Sequence, residues 1–177
     1  MIRHKWIIGA VAVLVAALLV LTGFEVHQRG RIETVIASAQ EKLGLPYVLN
    51  EEGPDAYDCS SLMQACFAEA GVELPRNSAE IGYLDVQRVE DIGKLLRGDL
   101  VCWDTVNDQD LTDHMGVYLG EGMVLHASTG RKKVVIDSME GYFTEHFSWG
   151  LRMIPHLPFD LPQPGAESSE TFENPAV

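Results

Sequence analysis

Basic side chains are scarce in this chain of 177 residues: 13 Lys and Arg stand against 26 Asp and Glu, for a formal net charge of −13. That balance excludes a nucleic-acid-binding surface, which needs Lys and Arg arrayed along the phosphates. Residues 1–31 carry four basic and one acidic side chain, so the remainder holds −16. Such an acidic surface is repelled by anionic lipid and polymer at low salt, and solubility is its simplest role. Cysteine is also sparse. Three thiols cannot all pair, so in an exported chain at least one is free or externally bonded. Cys59, Cys66, Cys102, His114 and His126 match no common zinc spacing, and Cys59 and Cys66 sit two helical turns apart, about 10 Å by rise. No metal and no cofactor is expected. Internal repeats are missing, and no linker introduces a second folded unit.

Charge is wholly absent from Trp6 to Phe24, and about 20 apolar residues suffice to cross a hydrocarbon core as a helix. This segment is read as a single membrane span. A cleaved secretory signal is the competing reading, because Arg3, His4 and Lys5 give a basic start and Ala37-Ser38-Ala39 resembles a cleavage site. The apolar run exceeds the usual signal core of about 7–15 residues, and Ala39 lies beyond charged Glu25, Arg29 and Arg31. An uncleaved anchor fits better, and either reading exports the rest of the chain.

Against this background two short segments carry chemistry. Gly53-Pro54-Asp55 breaks regular structure, and after Asp58-Cys59-Ser60-Ser61 the residues Leu62, Met63, Cys66, Phe67 and Ala70 recur at helical spacing until Gly71. Cys59 therefore sits in the first turn of a helix, where unpaired N–H groups and the dipole favour a thiolate. His114-Met115-Gly116-Val117-Tyr118-Leu119 reads as a strand, Gly120-Glu121-Gly122 as a turn, and Met123-Val124-Leu125-His126-Ala127 as the returning strand. That hairpin brings His126 beside His114. Cysteine, base and orienting group then follow in chain order as Cys59, His114 and His126. Cys66 and Cys102 lie in apolar settings and read as small buried hydrophobes, with a Cys66–Cys102 bridge left open. Asp58 is a natural cap for the Cys59 helix.

The joint order of Leu45-Pro46-Tyr47, Asp58-Cys59-Ser60-Ser61-Leu62, Leu74-Pro75-Arg76-Asn77-Ser78, Gly98-Asp99-Leu100-Val101, His114 to Gly120 and His126-Ala127 resembles the NlpC/P60 cysteine peptidases, which cut the peptide stems of bacterial peptidoglycan. The resemblance covers residues 32 to 156. Two positions depart from it: Ser61 stands where glycine is common, and Asn77 where aspartate is frequent. The resemblance implies an α+β, papain-like core, with N-terminal helices packed on an antiparallel five- or six-stranded sheet. It further implies that Asp58 and Ser60 help bind the free amino terminus of a stem peptide, with Tyr47 and Ser78 as further substrate-binding residues. The oxyanion would be met by the Cys59 N–H, with Tyr47 as the candidate second donor.

The expected organisation is a cytoplasmic start at 1–5, an anchor at 6–24, a juxtamembrane joint at 25–31, the catalytic domain at 32–158, and a disordered Pro-, Glu- and Ser-rich tail at 159–177. Within the domain we expect a first helix from Ile32 to Leu43, the Cys59 helix, and short helical turns and loops from Asn77 to Arg97. Strands are expected at Leu100–Asp104, His114–Leu119, Met123–Ala127, Lys133–Ile136 and Gly150–Ile154, with a short helix around Tyr142–Phe147. Arg3 and Lys5 face Arg29 and Arg31 across the span, so charge alone does not orient it. A peptidoglycan substrate would put the domain outside the membrane. The function implied is a membrane-anchored endopeptidase acting at the D-γ-glutamyl bond. Alternatives are an N-acetylmuramoyl-L-alanine amidase or acyltransferase on the same fold, a catalytically idle wall-binding module, or a protein secreted after signal cleavage.

Overall fold

The structure, a computed structural model, describes residues 2–106 and 112–156. The tail expected at 159–177 lies outside the described residues. Helix α1 (Ile2–Glu41) is one unbroken element of 40 residues. Two sequence patterns meet in it. Residues 10–24 are apolar on all sides and stand open, with Leu14 at 70% and Val20 at 72% exposure. From Gln28 onward only one face is buried, through Gln28, Ile32, Val35, Ile36 and Ala39, at the spacing of a helix lying on a core. The segment from Ala10 is long and apolar enough to cross a membrane. Residues 25–31, expected as a joint, continue the helix without a break.

Helix α2 (Cys59–Glu69) buries Leu62, Met63, Cys66 and Phe67 completely. It packs against α1 on one side and the sheet on the other. Arg31 of α1 donates from Nε to the Ala70 carbonyl at 2.9 Å and so satisfies an acceptor at the end of α2. The short helix α3 (Ser78–Gly82) follows, capped by the Asn77 side chain on the Glu80 N–H at 2.7 Å.

The sheet has six antiparallel strands in the order β1-β6-β2-β3-β4-β5. Their bounds are β1 (Gln87–Val89), β2 (Leu100–Trp103), β3 (His114–Gly120), β4 (Met123–Ser128), β5 (Lys133–Ser138) and β6 (Phe147–Arg152). Alternation along each strand divides the sheet into two faces. Leu100, Cys102, Met115, Val117, Leu125, Ala127, Val134, Trp149 and Leu151 join the helices in the main core. On the other face Val101, Trp103, Val124 and Met139 form a second cluster, closed by Phe143 of the short helix α4 (Tyr142–Glu145) and by Ile92 and Leu95.

Two expectations about the strands are corrected. Strand β1 falls within the stretch read as helical turns and loops, and its three residues pair with β6 at the sheet edge. Strand β6 begins at Phe147 rather than Gly150 and ends at Arg152 rather than Ile154. Gly150 is interior to it, paired with Val89 and Val101, and its missing Cβ leaves room for Leu95, whose Cδ2 lies 2.5 Å from where a Cβ would stand. All three cysteines are free, and Cys66 and Cys102 are fully buried as the small hydrophobes they were read to be, so the bridge left open is not formed.

Candidate active site

Asp58 caps α2 through a reciprocal pair of bonds: Ser61 N–H donates to Asp58 Oδ1 at 2.8 Å, and Asp58 N–H donates to Ser61 Oγ at 3.0 Å. Cys59 is the first residue beyond that cap, so the helix start delivers the thiol to the end of the sheet where β3 begins. Its Sγ lies 3.9 Å from the carbonyl oxygen of Asp113. The Met115 N–H also points toward the sulfur. The two chain neighbours of His114 thus bracket the Cys59 thiol.

His114 holds its place because Asp113 is clamped. The Asp113 carboxylate accepts from Thr105 N–H at 2.9 Å, Thr105 Oγ1 at 2.6 Å and Val106 N–H at 2.6 Å, which pins the connection leaving β2 to the start of β3. His114 and His126 are both buried, and His114 Nε2 lies 2.8 Å from His126 Nδ1. They are not direct partners in the ladder. His126 pairs with Gly116, so the rings meet on the diagonal across β3 and β4. Gly116 makes this possible: a Cβ there would stand 2.7 Å from the Leu125 carbonyl oxygen and 2.9 Å from His126 Cβ. Trp103 and Phe143 wall the pair, with the Trp103 ring centroid 5.6 Å from His114 and the Phe143 centroid 5.1 Å from His126.

The electrostatics describe an uncharged resting pair. Burial pushes the Cys59 thiol up to about 11, the Asp58 carboxylate adds to the rise, and backbone N–H groups of Met115, Ser60 and Cys59 offset only part of it. Burial likewise drives His114 down to about 3, reinforced by His126 and opposed by Asp113. The helix start was expected to favour a thiolate, but desolvation outweighs it here. Both shifts favour the neutral thiol and neutral imidazole at rest.

The remaining expected residues fall into three places. Asp58 and Ser60 form one cluster with Arg76: Arg76 Nη2 donates to Asp58 Oδ2 at 2.7 Å, Arg76 Nη1 to Ser60 Oγ at 2.9 Å, and Ser60 Oγ to Asp58 Oδ1 at 3.0 Å. Burial pushes the Asp58 carboxyl up, but the hydrogen bonds from Arg76, Ser61 and Ser60 outweigh it and hold Asp58 below the usual carboxylate range. Tyr47 is fixed by its backbone N–H on the Lys132 carbonyl at 2.9 Å. Burial raises its hydroxyl pKa, and the charges of Cys59 and Asp58 raise it further, which places the phenol within their electrostatic reach. Ser78 stands apart from these, at the start of α3, where its carbonyl accepts from Thr112 Oγ1 at 3.3 Å.

Two partners escaped the sequence reading. Arg76 lies in the quoted Leu74–Ser78 segment, but nothing in linear order ties it to Asp58. Asp137 accepts from or faces His126 Nε2 at 3.0 Å through Oδ2. The strand carrying it was expected to end at Ile136, one residue short, and alternation from Val135 would have placed a carboxylate on the histidine face.

A thiol at a helix start, abutting a strand that begins with one of two coupled histidines, is the arrangement of a cysteine hydrolase. The comparisons with known proteins agree. The sequence pattern of the NlpC/P60 family matches residues 44–153, and the chain belongs to that family. It is 36% identical over 107 residues to a probable endopeptidase p60 of Listeria monocytogenes, a stretch covering 60% of this chain and 21% of that protein. It is 33% identical over 115 residues to a probable endopeptidase NlpC homologue of Haemophilus influenzae, covering 64% of this chain and 58% of the relative. Among solved structures, the peptidoglycan hydrolase RipB of Mycobacterium tuberculosis superposes with a TM-score of 0.62 at 28% identity, over 74% of this chain and 68% of RipB. The chain thus spans between about a fifth and somewhat over half of the curated relatives it matches.

Proposed function

We propose that this protein is a membrane-anchored cysteine endopeptidase that hydrolyses peptidoglycan stem peptides, at the amide after D-γ-glutamate. The observation that carries the reading is the Cys59–His114–His126 constellation in a chain of the NlpC/P60 family. Endopeptidases among its relatives and the peptidoglycan hydrolase RipB among its structural neighbours support the substrate class.

In this mechanism His114 takes the Cys59 proton as the sulfur attacks the carbonyl, forming the S–C bond and a tetrahedral oxyanion. The Cys59 N–H at the start of α2 is the first donor for that oxyanion, and the Tyr47 hydroxyl is the candidate second donor. Collapse breaks the C–N bond, His114-H⁺ protonates the departing amine, and a thioester remains. Water, deprotonated by His114, then releases the acid and regenerates the thiol. Asp58 and Ser60 would meet the stem's amino terminus only by sharing hydrogen-bonding capacity with Arg76, which is a third exposed at its side chain. The exposed apolar part of α1 is the anchor, and a peptidoglycan substrate outside the membrane puts the amino terminus inside and the domain outside.

Mass spectrometry of purified sacculi incubated with the full chain in detergent tests the reading. New stem fragments from wild type and none from Cys59→Ala are expected, and their masses identify the bond. An unchanged digest with both proteins would remove the hydrolase reading. Protease added to intact spheroplasts is expected to strip the domain, and a protected domain would reverse the orientation.

A further inference from the structure

His126 is the orienting group for His114, and on the same sheet face the chain of contacts continues beyond it. His126 Nε2 lies 3.0 Å from Asp137 Oδ2, and Arg131 Nη2 lies 2.6 Å from Asp137 Oδ1. Each step repeats one geometric move. His126 pairs with Gly116 but touches His114, and it pairs with Val135 but touches Asp137, so each contact is the diagonal neighbour two residues along. The result is a line of side chains running from β3 through β4 to β5. Asp137 is 14% exposed at its side chain, whereas Arg131 is 56% exposed on the hairpin that joins β4 to β5.

We propose that Asp137 is a positioning residue of the hydrolytic site, fixing the tautomers of His126 and His114 so that His114 presents its Nδ1 lone pair to the Cys59 thiol. This rests on the hydrolase reading above. An ionised carboxylate can only accept, so His126 carries its proton on Nε2. Neutral His126 then offers a lone pair at Nδ1, which obliges His114 to carry its proton on Nε2. His114 Nδ1 is left as the free base. Without the carboxylate, His126 is free to protonate on Nδ1 and donate to His114 Nε2, which moves the proton of His114 to Nδ1 and blocks its acceptance of the thiol proton. Arg131 engages the other carboxylate oxygen and so helps hold Asp137 Oδ2 toward the His126 ring. Trp103 and Phe143 keep water from competing for the ring nitrogens.

The test is ¹⁵N NMR of the histidine-labelled full chain in detergent at neutral pH, read beside turnover on sacculi. Wild type is expected to show both His114 and His126 as Nε2–H tautomers. Asp137→Ala is expected to give a mixed or inverted tautomer at His126 and a turnover loss of about 10- to 1,000-fold, since the carboxylate acts one residue removed from the base. Asp137→Asn keeps an accepting oxygen and is expected to retain the wild-type tautomer with most of the turnover. Asp137→Ser, too short to reach the ring, gives the same reading as alanine if the alanine variant does not fold. An unchanged His126 tautomer in the truncated variants overturns the proposal whatever happens to turnover. A wild type with the expected tautomers but no turnover removes the hydrolase reading and leaves the tautomer assignment standing.

Discussion

Ser61 departs from the family's common glycine, and the structure gives its hydroxyl two hydrogen bonds that glycine could not make: it accepts from Asp58 N–H at 3.0 Å, which closes the cap of α2, and donates to the Glu51 carbonyl at 2.6 Å. Ser61→Gly is expected to cost about 1–2 kcal/mol of stability, combining loss of the reciprocal cap with glycine's poor helix propensity, while turnover changes little. Thermal denaturation beside a sacculus digest checks both halves. His114 makes a different prediction. Its folded-state pKa lies below the ordinary histidine value, so the unfolded chain binds more protons. Stability is therefore complete above about pH 6.5 and falls as pH drops toward 3, by up to about 1.4 kcal/mol per pH unit. Asp58 and Glu33, both held below the usual carboxylate range, add their losses only in the lower part of that window. His114→Asn is expected to flatten the limb between pH 6.5 and 4.5 in denaturant titrations. A limb of unchanged slope would mean that His114 is solvated.

At the scale of elements, the β3–β4 hairpin carries the site, and most of it was legible. His114 and His126 flank a turn of Gly120, Glu121 and Gly122, and period-2 alternation together with that turn predicted their approach. What alternation could not supply is the diagonal. Whether His126 faces His114 or Ser128 lies closer to it depends on register, and a shift near Tyr118 and Gly120 sets that register in the structure. Gly116 is the local reason that the diagonal closes. Gly116→Ala is expected to part the two rings and to cost about 1–3 kcal/mol through the contact with the Leu125 carbonyl. The expected signature is a loss of turnover well beyond the loss of stability, measured on protein that remains folded by circular dichroism. Turnover that tracks only the folded fraction would deny Gly116 this role. Strand β1 was not legible because Gln87, Arg88 and Val89 bury only Val89, and three residues give alternation nothing to repeat. Its pairing comes from β6, sixty residues on. The Asp58–Arg76 pair was hidden for the same reason, since it depends on partners brought together by loops rather than by spacing, whereas Asp137 was missed only because its strand was expected to end one residue early.

For the whole molecule, the apolar N-terminal segment and the catalytic core were each visible in the sequence, but their connection was not. Composition changes at Glu25, and a change of composition looks like a joint. The structure instead carries one helix through residues 25–31, because Gln28 and Ile32 bury against the domain and Arg31 reaches the Ala70 carbonyl. Helical rise then sets the spacing: Phe24 and Ile32 are about 12 Å apart along the axis. If the apolar segment is the anchor proposed above, its continuity with a core helix would hold the Cys59 cleft at a set height and attitude, so that only substrate within that reach would be cut. Amide hydrogen exchange on the full chain in detergent tests the continuity. Amides of residues 28–31 are expected to exchange slowly, close to those of Ile32 to Ala39, because opening them requires breaking helix that is packed on the domain. Exchange within seconds across 25–31, with 32–39 still protected, would show a hinge there and free the domain to swing relative to the apolar segment.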